Sequence, residues 1–241
     1  MIQVLPVEGL PEIAEGADLA SLIAAAIELR DGDVVCVAQK VVSKSEGRVV
    51  RLDEVEPSDE ARRLAGADGD PRRLEIVLRE SARVVRSRPP LVIAETRHGF
   101  VCASAGVDAS NAPAPDTVVL LPEDPDASAA RLRTGLEELT GRSLTVIVTD
   151  TFGRSWRRGI TNVAIGAAGA EVLRDLRGVY DPTGYELHST VIAIADEIAA
   201  AAELVMGKTA RIPAAVVRGL DVAGSGTAAE LVMPPEHDLF R

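Results

Sequence analysis

Four short stretches bring together the residue types that hold metals and phosphates. QKVVSKSEGR carries Lys40, Ser43 and Lys44. SAGVDASN carries Asp108 and Asn111. TDTFGRSWRRG carries Asp150, Thr151, Arg154, Arg157 and Arg158, and MGKTARIP carries Gly207 and Lys208. Carboxylate and hydroxyl oxygens suit hard cations such as magnesium or manganese. Lysine and arginine suit phosphate oxygens. The combination is what a metal–polyphosphate site needs.

Taken singly, each residue has an ordinary structural reading. Asp150 serves equally well as a helix or turn cap. Lys40 and Lys44 read as solvated lysines. Asp108 and Asn111 fit an Asx turn, and Trp156 reads as packing rather than substrate stacking. His98, His188 and His237 show no ligand spacing.

Each stretch follows an apolar element that must position it. IQVLPV reads as a short strand. Residues 18–29 have helical spacing, with Asp18 as N-cap. Asp31-Gly32-Asp33 is a turn, 34–42 a strand and SKSEGR a polar loop. PSDEARRLAG starts a helix capped by Ser58. A second helix over 71–85 has Pro71 at the favoured first position. A hairpin pairs 91–95 with 100–104 around Arg97-His98-Gly99. NAPAPD is a loop, VVLLP a strand and DASAARLRTGLEELTG a helix. LTVIV (144–148) is the strand before Asp150. A helix over 189–207 has Ser189 as its cap, and IPAAVVRG is a late strand. Interleaved strands and helices with at least one hairpin point to an α+β architecture, with mixed or antiparallel sheets and packed helices. GxxxxGK[ST] is absent, as is GxGxxG after a strand, so neither the P-loop nor the Rossmann motif is present.

Composition narrows the function classes. The 241 residues are 46% hydrophobic, which a globular core requires, but only 2% aromatic, so Val, Leu, Ile and Ala must build it. A formal net charge of -11 argues against a nucleic-acid or anionic-membrane binder and requires any site for an anion to be locally basic. Cys36 and Cys102 lie far apart without zinc-ligand spacing and read as buried thiols in a reducing compartment. No signal peptide or membrane-spanning run is evident, so a cytoplasmic protein is expected.

Considered together, five strings carry a resemblance. LPVEGLPEI, GDVVCVAQKVVSKSEGR, RHGFVCASAGVDASN, VTDTFGRSWRRGITNVAIG and GKTARIPAAVVRG, in this order, closely resemble the coenzyme F420-0:L-glutamate ligases. These are the gamma-glutamyl ligase family of deazaflavin cofactor biosynthesis. The likeness runs from Leu5 to the closing PPEHDLFR. It implies a single ligase domain over 1–241, with two intertwined subdomains, and a homodimer. In some relatives a nitroreductase-like domain follows; with the chain ending at Arg241, that activity is expected to be absent.

The resemblance also implies chemistry. Such enzymes use GTP to add L-glutamate to the carboxylate of F420-0, often add more through gamma-linkages, and release GDP and phosphate. They need Mg2+ or Mn2+ and are helped by K+. Carried over by position, Leu10, Pro11, Glu12 and Ile13 match the guanine-nucleotide segment, and Lys44 and Asn111 match nucleotide contacts. Gln39 stands where relatives can have a serine beside the nucleotide. Gly207 and Lys208 fall in a nucleotide-binding loop. Asp108, Asp150 and Thr151 match metal ligands. Asp150, Lys44 and Arg154 are the expected catalytic group, with a turn at Gly153 bringing the arginines toward phosphates or the substrate's acidic tail.

Two carboxylates ~4 Å apart repel by roughly 4 kcal/mol at an effective dielectric of about 20, and a divalent cation between Asp108 and Asp150 would remove that cost. An acyl phosphate is the expected intermediate, because a carboxylate is a poor electrophile toward an amine. Two other classes stand beside this one. One is a nucleotide- and metal-dependent ligase or kinase acting on a different acid. The other is a non-catalytic GTP-sensing module.

Overall fold

The computed structural model describes residues 1–239; Phe240 and Arg241, the end of PPEHDLFR, lie outside the described residues. A five-stranded sheet runs in the order β1 (Gln3–Pro6), β12 (Ala214–Arg218), β2 (Val34–Ala38), β8 (Thr145–Arg154), β9 (Arg157–Ala168). Only β2 and β8 pair in parallel; the other neighbours are antiparallel. The architecture is α+β with mixed and antiparallel sheets.

The central strands are continuous apolar runs because both faces of the sheet are covered. Alternation along β2 sends Val35 and Val37 to one face and Val34 and Cys36 to the other. On the first face they meet Ile23 of α1 (Leu19–Ala26) with Leu132 and Leu136 of α5 (Pro125–Thr140). On the second they meet Ile198, Ala202 and Met206 of α6 (Ile194–Met206). Full burial of each such aliphatic side chain contributes about 1.5–3 kcal/mol, so the core forms without aromatics.

A third apolar cluster is drawn from residues 50–120. It includes Leu64 of α3 (Asp59–Ala65), Leu74 and Val77 of α4 (Pro71–Glu80), and Val92 of β5 (Leu91–Thr96). Here β4 (Ser81–Arg88), β5 and β6 (Val101–Ala103) form an antiparallel sheet, while β3 (Val49–Arg51) pairs with β7 (Thr117–Val119).

Several expected elements stand where the sequence places them. Asp18 caps α1 by accepting from the Ser21 backbone N–H at 3.1 Å, and Ser58 caps α3 through Ala61. Pro71 opens α4, and β5 pairs with β6 as a hairpin. Other boundaries differ. The strand expected over 34–42 stops at Ala38, and α2 (Gln39–Ser45) takes over, because Gln39, Val42 and Ser43 bury one helical face. SKSEGR is therefore half helix rather than loop. The helix expected over 71–85 ends at Glu80; Ser81 onward pairs with β5. Ser189 does not cap α6. The β-branched Val191 and Ile192 form a short strand, β11, against β10 (Arg174–Asp175), and the helix starts at Ile194 with no side-chain cap.

The largest difference lies at the site. LTVIV is the first half of a strand that continues through TDTFGR to Arg154. That strand folds back as β9, so the expected polar loop is a β-hairpin. Gly153 pairs with Ile160 inside the ladder. The turn falls at Ser155-Trp156, where Trp156 takes φ 56°.

Candidate active site

β8 leaves the core at a bulge. Val148 pairs with Gly166 but Thr149 pairs with Ala164, so β9 carries one extra residue, Ile165, at this point. Such a bulge re-aims the strand locally. Asp196, in the first turn of α6, accepts from the Ala164 backbone N–H at 2.8 Å and fixes the helix beside it. Seven residues on, two helical turns along the same face, α6 presents Glu203.

Past the bulge, Asp150 and Thr151 open onto a cavity of about 770 Å³. The N-terminal segment Leu10, Pro11, Glu12 and Ile13 forms one wall. Gln39, Lys40 and Lys44 contribute from α2, and Asn111 from the loop before β7. Glu203 contributes from α6, and Gly207, Lys208 and Arg211 from the loop after it. The four stretches that carry phosphate- and metal-binding residue types thus converge on one cavity.

The lysines are not solvated. Lys44 is 7% exposed and pairs with Glu12 at 2.5 Å, tying α2 to the N-terminal segment. Lys40 is 16% exposed and pairs with Asp108 at 2.7 Å. Asp108 is not among the residues that line the cavity; it reaches the site through Lys40, which is. It also accepts from the Ser110 backbone N–H at 2.7 Å, an Asx-type turn, and from the Ser110 hydroxyl. Burial opposes its charge, but the bonds from Lys40 and Ser110 outweigh that and hold its pKa below the usual range. Asp150 goes the other way. Burial pushes it up to about 6; the Thr151 backbone N–H, Lys40 and Lys208 pull it down, and the Asp108 charge adds to the rise.

Gln39 spends its amide N–H groups inside the fold, on Ser43 and on the Leu120 carbonyl, each at 2.6 Å. Arg154 does not line the cavity. It is exposed near the hairpin turn and donates to the Arg158 carbonyl at 3.4 Å. Trp156 is 80% exposed, so it does not pack into a core as its residue type suggests.

Two cavity residues have no counterpart in the sequence reading. Asn162, buried on β9 opposite Thr151, accepts from the Thr151 hydroxyl at 2.8 Å and donates to Glu203 at 3.0 Å and to Thr149 at 3.3 Å. A polar residue inside ITNVAIG is a signal, but only the register of an unforeseen hairpin gives it meaning.

The sequence model of the F420-0:gamma-glutamyl ligase family matches residues 9–219. The chain belongs to this family. Among its relatives is a protein of Methanopyrus kandleri, 48% identical over all of this chain and 98% of its own length. A second, from Archaeoglobus fulgidus, is 46% identical over all of this chain and 96% of its own. A third, from Methanothermobacter thermautotrophicus, is 42% identical over all of this chain and 99% of its own. All three are named coenzyme F420:L-glutamate ligase. The chain is accordingly a ligase, of the class that forms C–N bonds.

The site's donors fit a hard divalent cation. Asp150, Thr151 and Asp108 offer only oxygen, and no three His, Cys, Asp or Glu side chains cluster as a metal cage among the described residues. One or two carboxylates completed by substrate phosphates is the usual arrangement for magnesium. No helix among the described residues is long and apolar enough to cross a membrane.

Proposed function

We propose that this ligase joins L-glutamate to coenzyme F420-0 at the expense of GTP, forming an amide and releasing GDP and phosphate. One observation carries the reading: Asp150 and Thr151 face the same cavity as Lys44, Lys208 and the Leu10–Ile13 segment. Oxygen ligands and phosphate-binding cations therefore share one chamber, in a family whose relatives are named for this substrate pair.

The chain's own residues have definite parts. Leu10, Pro11, Glu12 and Ile13 select the guanine, and Lys44, held by Glu12, takes the phosphate chain with Lys208 and Asn111. Mg2+ or Mn2+ held by Asp150 and Thr151, with the Asp108 charge beside them, would neutralise charge on the transferring phosphoryl group. Lys40 keeps Asp108 ionised and in place. An acceptor carboxylate oxygen attacks the γ-phosphorus and GDP leaves. The glutamate nitrogen then attacks the acyl carbon, its proton goes to solvent, and phosphate leaves. A potassium requirement is part of the proposal, with no residue assigned to it. Pairing of two copies is a further part, supported by Val179, Tyr180, Tyr185 and Val191, large apolar residues exposed in one segment.

Incubation with F420-0, L-glutamate, GTP and Mn2+ should give a product heavier by one glutamate, with GDP formed in equal amount. Heavy oxygen placed in the F420-0 carboxylate should appear in the released phosphate. Turnover as fast with ATP as with GTP would overturn the nucleotide assignment, and unlabelled phosphate would overturn the acyl phosphate.

A further inference from the structure

The hairpin that carries Asp150 and Thr151 does not end at the cavity. Its ladder runs on through Phe152↔Thr161 and Gly153↔Ile160 to Arg154↔Arg157. Three residues beyond Thr151 is about 10 Å of strand. Phe152 anchors the base of this ribbon edge-to-face on Phe100, ring centroids 6.1 Å apart, so the direction of the ribbon is fixed by packing.

The tip gathers three arginines without a carboxylate. Many surface arginines elsewhere do sit on one, as Arg51 on Asp53, Arg83 on Glu95, Arg142 on Asp31 and Arg177 on Asp175, although exposed Arg86, Arg88 and Arg97 do not among the described residues. Arg154, Arg157 and Arg158 are all exposed, and none has an acidic partner among the described residues. The sequence supplies no Asp or Glu between Asp150 and Glu171. In a chain of net charge -11, three unneutralised guanidiniums on one rigid ribbon form a local anion-binding surface. They stand outside the cavity wall, so they do not serve a nucleotide held there.

We propose that this arginine-tipped ribbon binds the acidic tail of the acceptor, specifically the free carboxylates of an oligo-γ-glutamyl chain. The inference rests on the reaction proposed above. When the acceptor's terminal carboxyl lies at Asp150 and Thr151, the rest of the acceptor must extend out of the cavity. Each γ-linked glutamate already added leaves one free α-carboxylate on that tail. The first addition meets none of these charges and later additions meet one more each time. The ribbon therefore favours repeated addition over the first.

Trp156 is the only tryptophan of the chain and sits at the ribbon's turn, so its fluorescence reports on the tip directly. Titration of the full chain with tri-γ-glutamate at low ionic strength should change that emission saturably. The change should weaken steeply with salt and be lost in the Arg157→Gln/Arg158→Gln variant. In turnover, the same variant should retain its KM for GTP and its rate with F420-0. Its KM for the mono-glutamylated acceptor should rise by on the order of tenfold, and its products should stop short.

An unaltered product-length distribution would overturn the inference. So would a wild-type enzyme that stops at one glutamate, a rise in the GTP KM instead, or a changed size in light scattering, which would make the ribbon a contact between copies. Failure of the wild type to glutamylate F420-0 defeats the proposed function, whereas silence of Trp156 toward tri-γ-glutamate defeats the ribbon.

Discussion

The Thr151 hydroxyl donates its hydrogen to Asn162 Oδ1 at 2.8 Å across the β8–β9 ladder. The direction of that bond follows from Glu203. Its carboxylate can only accept, so Asn162 must turn its amide nitrogen toward Glu203, at 3.0 Å, and its oxygen toward Thr151. With its hydrogen spent on Asn162, the Thr151 oxygen has lone pairs left for a cation. Asn162 thus acts as a positioning residue. Asn162→Ala should weaken Mn2+ binding about 10–100-fold, the usual scale for losing an outer partner of a metal ligand. Paramagnetic resonance of Mn2+ titrated into the enzyme with GTP reads this directly, and an unchanged affinity would rule the relay out.

Asp150→Asn tests the ligand itself. The substitution keeps size and leaves Val146, Ile147 and Val148 buried as before, so the thermal midpoint should stay within a few degrees. Ligase turnover should fall by on the order of 100-fold or more, the scale for removing one electrostatic stabiliser of a transition state. Near-normal turnover at ordinary metal concentration would exclude Asp150 as an essential ligand.

Outside the cavity lining, a buried carboxylate is held by a partly buried arginine. Asp33 is 1% exposed and accepts from Arg218 Nε and Nη2, both at 2.7 Å, and from the Arg30 backbone N–H at 2.8 Å. It locks the end of β12 to the turn that feeds β2. Arg218→Ala leaves a buried carboxylate without its cation, which costs about 3–5 kcal/mol. Urea unfolding should show that loss as a lower midpoint with an unchanged slope. A shift below about 1 kcal/mol would mean that water replaces the guanidinium.

These residues also show what a sequence can and cannot disclose. VVCVA and LTVIV were legible as central strands because a strand buried on both faces needs an unbroken apolar run. Asp150 and Thr151 were legible only as the polar end of such a strand; residue type left Asp150 equally a cap or a ligand, and the expected metal role came from the resemblance. β9 was hidden because TDTFGRSWRRG looks like loop by composition. Its extended form comes from pairing with its own continuation, a tertiary fact that residue type does not carry. Asn162 was lost with it, since its role exists only opposite Thr151. Val41 and Val42 misled in the opposite sense. β-branched residues favour strands, but burial of the Gln39, Val42 and Ser43 face makes a helix there, and that helix delivers Lys40 and Lys44 to the cavity.

The two thiols give a prediction with a defined sign. Burial pushes Cys36 up to about 12 from an ordinary value of 9.0. Burial likewise pushes Cys102 up to about 12, with the Asp150 charge adding to the rise and a Gly106 backbone bond opposing it. A thiol whose pKa is raised on folding holds its proton in the folded chain at pH values where the unfolded chain releases it. The stability this contributes is fully present below about pH 9 and is lost as pH rises toward about 12, by roughly 1.4 kcal/mol per pH unit for each thiol. Wild type should therefore lose urea resistance between pH 9 and 11 faster than a Cys36→Ala/Cys102→Ala variant, in which the other titrating groups are unchanged. Since the thiolate is the reactive form, a disulfide reagent at pH 8 should label neither cysteine in the native chain and both in urea. Rapid labelling of the native protein, or parallel stability curves for the two proteins, would show that these thiols are not held neutral by burial.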